Sequence, residues 1–176
     1  MDRLTSIGGT TCETAAGWVG IAWSEEGLVA VTLPEPDEAA ALRRLPVPAE
    51  PAPLPPPGLD VADLAAKLRR YFLGEDVDFQ EPLDPSLGTE FQRQVWALTR
   101  AIPRGQTRTY GHLARLAGHA GSARAVGQAM ARNPWPVIVP CHRVVGHDGR
   151  LTGFGGGLAL KHHMLEMEAG LASGQT

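Results

Sequence analysis

The sequence predicts an α+β protein, with a small N-terminal β-sheet domain over residues 1–85 joined to a mostly helical domain over residues 86–176. Three observations carry that reading. Two partly β-branched apolar runs, residues 17–24 (GWVGIAWS) and 28–33 (LVAVTL), flank Glu25-Glu26-Gly27 in a hairpin pattern. From Thr89 onward, apolar residues recur at helical spacing between start and stop signals. The charge also changes sign: residues 1–88 hold 6 Lys+Arg against 15 Asp+Glu, a balance of −9, and residues 89–176 hold 10 against 4, a balance of +6.

A short helix follows the hairpin over about residues 37–44. Residues 46–58 then carry seven prolines in thirteen positions, which leaves neither helix nor central strand intact and predicts a stiff connector or a surface loop. Asp60 is placed as an N-cap; Val61, Leu64, Leu68 and Phe72 share a helical face, and Gly74 closes the helix. Thr89 and Gln92 form a capping-box pattern ahead of Val95, Leu98 and Ile102, and Pro103-Arg104-Gly105 stops that helix. Thr109 caps the next helix, to about Ala117, with Leu113 and Leu116 inward. Residues 118–121 (GHAG) make a turn, and Ser122 caps a third helix through about Arg132. This pair fits a helix-turn-helix and equally an ordinary helical hairpin. The third helix is lined by Ala123, Ala125, Gly127, Ala129 and Ala131, with Arg124 among them. Such small side chains let a backbone approach a protein core, a partner helix or a nucleic-acid groove.

The apolar share of 43% and charged share of 20% are those of a globular protein. No apolar run approaches the roughly 18 residues that a membrane span needs, and the first twenty residues lack a basic start followed by an apolar stretch, so neither a membrane span nor a secretory leader is expected. Cys12 and Cys141 make no disulfide framework, and a reducing cytoplasm is the expected setting. The charge split suggests an acidic domain attached to one that meets polyanions; two solvated surfaces of different composition fit it as well.

Residues 138–146 (IVPCHRVVG) are the most informative stretch and begin as an expected buried strand. A thiol attacks only as thiolate, so Cys141 needs positive or proton-accepting neighbours, and His142 and Arg143 offer both. Neighbours on an extended strand point to opposite faces, so contact between them requires a turn at Cys141. A buried, inert cysteine beside a polar histidine fits the same residues. Cys141, His147, His162 and His163 offer four zinc ligands without the paired arms of structural sites, and neither a metal nor a cofactor is expected. Residues 153–157 (GFGGG) read as a pocket wall or a plain loop.

Residues 140–145 (PCHRVV) resemble the active-site signature of the O6-alkylguanine-DNA alkyltransferase family, the methylated-DNA–protein-cysteine methyltransferases. The similarity runs in unbroken order over about residues 86–170, through Arg104-Gly105, Thr109-Tyr110, residues 123–127 (ARAVG), Asn133-Pro134, the glycine loop and Lys161 to Gly170. The first 85 residues resemble the family only in outline, which implies a ribonuclease H-like sheet domain. The resemblance implies direct-reversal DNA repair: a single, irreversible transfer of an alkyl group from O6-alkylguanine, with O4-alkylthymine a second candidate substrate.

In that family pattern Cys141 is the alkyl acceptor, His142 takes its proton through a water, and Glu168 orients and charges the histidine. Asn133 bonds the turn around the cysteine, and Tyr110 stands near the DNA backbone and the purine N3. Arg124 fills the hole left by a flipped base, with Ala123, Ala125, Gly127 and Ala129 against the minor groove of double-stranded DNA. Val144, Phe154, Gly155 and Gly156 border the base pocket, and the protein acts as a monomer without cofactor. The physics agrees, because O6 is hidden in a duplex and the nucleotide must swing out at a cost of a few kcal/mol. Phe154 stands where the family often has tyrosine, and Gly155 where many members have Ser, Ala or Arg, which loosens the expected pocket. Other classes of protein compete with this expectation: a lesion-binding relative without transfer, a cysteine hydrolase using Cys141 and His142, and a DNA-free helical scaffold.

Overall fold

Backbone hydrogen bonding in the first half is carried by a three-stranded antiparallel sheet, ordered β1 (Gly8–Thr14), β2 (Gly17–Trp23), β3 (Leu28–Val31). The computed structural model describes residues 6–46 and 52–170. These divide into two units, Met1–Leu87 and Gly88–Thr176. The hairpin expected between residues 17 and 33 is β2–β3, with a register shift between Ala22 and Trp23. β1 is an addition to the expected elements: its sequence, GGTTCET, is polar and glycine-rich, yet it pairs fully with β2 from Gly8 opposite Trp23 to Thr14 opposite Gly17. Gly8 is required there, because a Cβ would meet the Trp23 ring at 2.3 Å.

Helix α1 (Glu38–Arg44) is capped by Asp37, whose side chain accepts from the Ala40 N–H, and packs on β1 and β2. Helix α2 (Val61–Phe72) starts at Asp60, which accepts from the Asp63 N–H, and packs on β1. It buries Leu64, Leu68, Tyr71 and Phe72, each contributing roughly 1.5–3 kcal/mol of apolar burial. Of the proline-rich stretch, residues 47–51 lie outside the described residues; the described remainder holds neither helix nor strand, and the Pro53 carbonyl accepts from Trp23 Nε1 at 3.0 Å.

The second unit opens with α3 (Glu90–Arg100), whose capping box is complete: Thr89 Oγ1 accepts from the Gln92 N–H at 3.2 Å, and Gln92 Oε1 from the Thr89 N–H at 2.9 Å. A two-residue strand β4 (Arg108–Thr109) leads into α4 (Tyr110–Leu116), with Thr109 Oγ1 accepting from the His112 N–H. Residues 117–122 turn the chain through Gly118 and Gly121, both at positive φ, into α5 (Ala123–Ala131). Ser122 precedes α5 but its side chain makes no cap bond, contrary to expectation. Helix α3 packs on α4 and α5, and Trp96 Nε1 donates to the Ala129 carbonyl at 2.8 Å. Strand β5 (Val144–Val145) pairs in parallel with β4, which sets the start of α4 beside the chain that leaves Cys141. Helix α6 (Leu158–Gly170) packs on the turn at Cys141. Among the described residues no helix is long and apolar enough to cross a membrane.

Candidate active site

The stretch before Cys141 is a clamped turn rather than the expected strand. Ile138 and Val139 are buried, but the Val139 N–H closes back on the Trp135 carbonyl at 2.8 Å. Val137 sits at φ +75°, a left-handed conformation that costs a β-branched residue about 1–3 kcal/mol. Asn133 holds the turn from inside: its Nδ2 donates to the Val139 carbonyl at 2.9 Å, and its Oδ1 accepts from the Trp135 N–H at 3.0 Å. An apolar run gives the same sequence signal for a buried strand and for a buried turn, so the misreading has a plain source.

Cys141 opens a single 3-10 turn, Cys141–Arg143, which supplies the bend that contact with its neighbours requires. Cys141 keeps 8% of its surface exposed, whereas His142 keeps none. His142 Nε2 lies 2.7 Å from Glu168 Oε1. Arg143, expected to electrify the thiol, instead clamps the carboxylate, donating from Nε to Oε2 at 2.9 Å and from Nη2 to Oε1 at 2.8 Å. Its Nη1 donates to the Ile102 carbonyl at 2.6 Å, tying the end of α3 to the same cluster.

Burial tends to raise the Glu168 pKa, but the His142 and Arg143 bonds and charges overcome it and hold the carboxyl well below the usual range, so it is ionised. Burial lowers the His142 pKa, helped by the Arg143 and Lys161 charges and opposed by Glu168, so the ring is neutral. Burial raises the Cys141 pKa; a hydrogen bond from Asn133, the Lys161 charge and backbone bonds at Cys141 and His142 pull the other way. The resting group is a thiol.

Lys161 carries no role in the sequence reading beyond its place in the family match. It is wholly buried on α6, with Nζ donating to the Val144 carbonyl at 2.6 Å and to the Thr152 carbonyl at 2.9 Å. Its ammonium lies 5.8 Å from the Tyr110 ring centroid, within cation–π reach. Nothing local flags it, because α6 shows no clean apolar stripe around residues 158–165 (LALKHHML). Tyr110 is half-buried at the start of α4, and Thr152 Oγ1 donates to its Oη at 3.3 Å. On α5, Arg124 is exposed, and Ala123, Ala125 and Gly127 are half-buried.

Two other expectations are corrected. Ala129, expected on the accessible face of α5, is 1% exposed and turned inward against α3, where its carbonyl serves Trp96. Val144, expected in the pocket wall, has a fully buried side chain, and its carbonyl accepts from Lys161 Nζ. Phe154 is half-buried, and Gly155 and Gly156 are exposed. Among the described residues no three His, Cys, Asp or Glu gather to hold a metal ion, so Cys141, His147, His162 and His163 form no cluster.

Cys141 is thus followed directly in sequence by a neutral imidazole that is backed by an ionised carboxylate, the residue types of a Cys-His-acid nucleophile. Residues 90–170 match the family described as 6-O-methylguanine DNA methyltransferase, DNA binding domain. The chain is 50% identical over 107 residues to the methylated-DNA–protein-cysteine methyltransferase of Mycobacterium leprae, covering 61% of this chain and 64% of that relative, slightly under two thirds of its length. Over 93% of both chains it resembles the crystal structure of the Mycobacterium tuberculosis O6-methylguanine methyltransferase, at 36% identity and a TM-score of 0.72. The M. tuberculosis protein in complex with DNA is similar at 37% identity and a TM-score of 0.73, over 92% of both chains. The chain belongs to the O6-methylguanine-DNA methyltransferase family.

Proposed function

We propose that this chain repairs alkylated DNA by direct reversal, moving an alkyl group from guanine O6 to Cys141 once per molecule. The observation that carries the reading is the buried 2.7 Å contact between His142 and Glu168, one residue from Cys141. An ionised carboxylate only accepts, so the neutral ring keeps its proton on Nε2 and its lone pair on Nδ1. That lone pair takes the Cys141 proton, through a water as the family resemblance implies, and Glu168 stabilises the resulting imidazolium. The buried Lys161 charge eases formation of the thiolate.

The sulfur attacks the alkyl carbon in line. An S–C bond forms as the C–O6 bond breaks, the electron pair passes to the purine, and the proton given up by the thiol ends on guanine. The product is a thioether, a poor leaving site, so the protein is spent.

Around this chemistry, α4 and α5 serve as a helix-turn-helix with α5 in the minor groove. The exposed Arg124 fills the gap left by the flipped nucleotide, and Ala123, Ala125 and Gly127 give the close approach. Tyr110 faces the purine N3, and Phe154, Gly155 and Gly156 border the base. The +6 balance of residues 89–176 favours a polyanion on this unit. The N-terminal unit has a ribonuclease H-like fold, the protein works as a monomer in a reducing cytoplasm, and O4-alkylthymine is a second substrate. Mixing the protein with duplex DNA carrying O6-methylguanine and weighing it tests the reading. One methyl per chain, located on Cys141 and absent from Cys141→Ala, is expected; no mass gain, or repeated turnover, overturns it.

A further inference from the structure

We propose that Thr152 is a positioning residue for alkyl transfer, its hydroxyl turning the Tyr110 phenol proton toward the extruded base. The proposal rests on the reading above, in which Tyr110 faces the purine N3. Thr152 is held from two directions. Its carbonyl accepts from the buried Lys161 Nζ at 2.9 Å, and that same ammonium is fixed by the Val144 carbonyl at 2.6 Å. Its Oγ1 donates to Tyr110 Oη at 3.3 Å, joining the loop before the glycines to the first residue of α4, 42 positions away. Lys161 also lies over the Tyr110 ring, so the backbone of Thr152 and the ring it touches share one buried anchor.

The consequence lies in which atom carries which proton. A phenol oxygen has one proton to donate and lone pairs to accept with. When Thr152 donates to that oxygen, the phenol's own proton points away from Thr152, and polarisation along the chain makes it a stronger donor. The purine N3 carries no proton and only accepts. As the C–O6 bond breaks, negative charge spreads into the ring, so a preset donor at N3 holds the transition state more tightly than the ground state. The phenol proton is shared in this contact and stays on Tyr110; the proton that guanine finally carries is the one lost by Cys141.

Thr152→Val removes the hydroxyl while keeping the branched shape and the carbonyl that Lys161 uses, and Thr152→Ser keeps the hydroxyl. Single-turnover transfer rates and duplex affinities are measured on O6-methylguanine and on its 3-deaza analogue, in which carbon replaces N3. On O6-methylguanine, Thr152→Val is expected to slow transfer about threefold to tenfold, the worth of one hydrogen bond, with duplex affinity and thermal midpoint unchanged. Thr152→Ser is expected to react like the parent protein, and on the 3-deaza substrate the parent and Thr152→Val are expected to react at equal rates. Equal slowing on both substrates, no slowing on either, or a defect confined to affinity overturns the role of Thr152. A parent protein that transfers no methyl overturns the activity itself.

Discussion

The two units bury ionisable groups to opposite ends. In the first, Asp84 is 3% exposed and its carboxylate only stitches chain to chain: Oδ2 accepts from Ser24 Oγ at 2.7 Å, and Oδ1 from the Ser86 N–H and Oγ. They fasten the connector around residues 82–84 to the β2–β3 loop, where the Leu28 N–H also bonds the Pro82 carbonyl. In the second unit the buried His142, Glu168 and Lys161 come from the 3-10 turn and α6; Glu168 pairs with His142, the residue after Cys141, and the Lys161 charge bears on the Cys141 sulfur. A buried charge costs several kcal/mol to desolvate unless partnered, so either unit must compensate it. Only in the second does the compensation lie beside the cysteine to which the proposed function assigns the chemistry.

The comparison is broken or sharpened most strongly at two of the buried carboxylates, Glu168 and Asp84. Glu168→Ala strands Arg143 and His142 and is expected to cost about 3–5 kcal/mol in urea unfolding, with transfer falling about 10²–10⁴-fold. Asp84→Ala is expected to cost about 1–3 kcal/mol while the folded fraction transfers at the parent rate. Equal losses of rate in the two variants would erase the distinction between the units.

The next effect is in pH. In the proposed mechanism neutral His142 is the base, so the parent transfer rate is expected to fall in acid, below the ordinary histidine value of 6.5, and to be level above it. In His142→Asn the thiol must ionise unaided; its pKa lies above 9.0, so the rate is expected to climb about tenfold per pH unit across the neutral range. A level profile in the variant removes the imidazole from the proton path. Stability follows the same groups. Both folded pKa values are depressed, so the unfolded chain binds more protons as pH drops, and stability is lost on acidification, first below 6.5 through His142 and then below 4.5 through Glu168. Urea midpoints measured down that range are expected to fall monotonically in the parent and less steeply in Glu168→Gln.

Smaller effects probe packing. Trp96→Phe leaves the Ala129 carbonyl without its indole donor and is expected to cost about 1–3 kcal/mol, with transfer retained. Arg44→Ala breaks a 3.0 Å pair with Glu35 whose arginine side chain is 69% exposed, and a thermal melt is expected to register no more than about 1 kcal/mol.

What the sequence discloses follows the range of the interactions. Helices α2, α3 and α4 are legible at their starts because Asp60, Thr89 and Thr109 bond backbone only three residues ahead. Strand β1 is hidden because Thr and Gly dominate it without an apolar face, and its place is set by pairing with β2. Strands β4 and β5, two residues each, carry no periodic signal at all. At the site, Cys141 and His142 announce themselves by adjacency, and Glu168, Asn133 and Tyr110 only through family likeness. The Arg143 clamp reaches 25 residues to Glu168 and 41 to Ile102, and Lys161 reaches 17 to Val144; no local pattern encodes such closures.

Helix α6 is the last described element, and it brings the carboxylate that His142 needs. During synthesis the sulfur at position 141 is therefore made before the carboxylate that pairs with His142. Until the final helix docks, the nascent polypeptide carries an ordinary cysteine with an unsupported imidazole. A product cut short before α6 therefore lacks the carboxylate that His142 bonds.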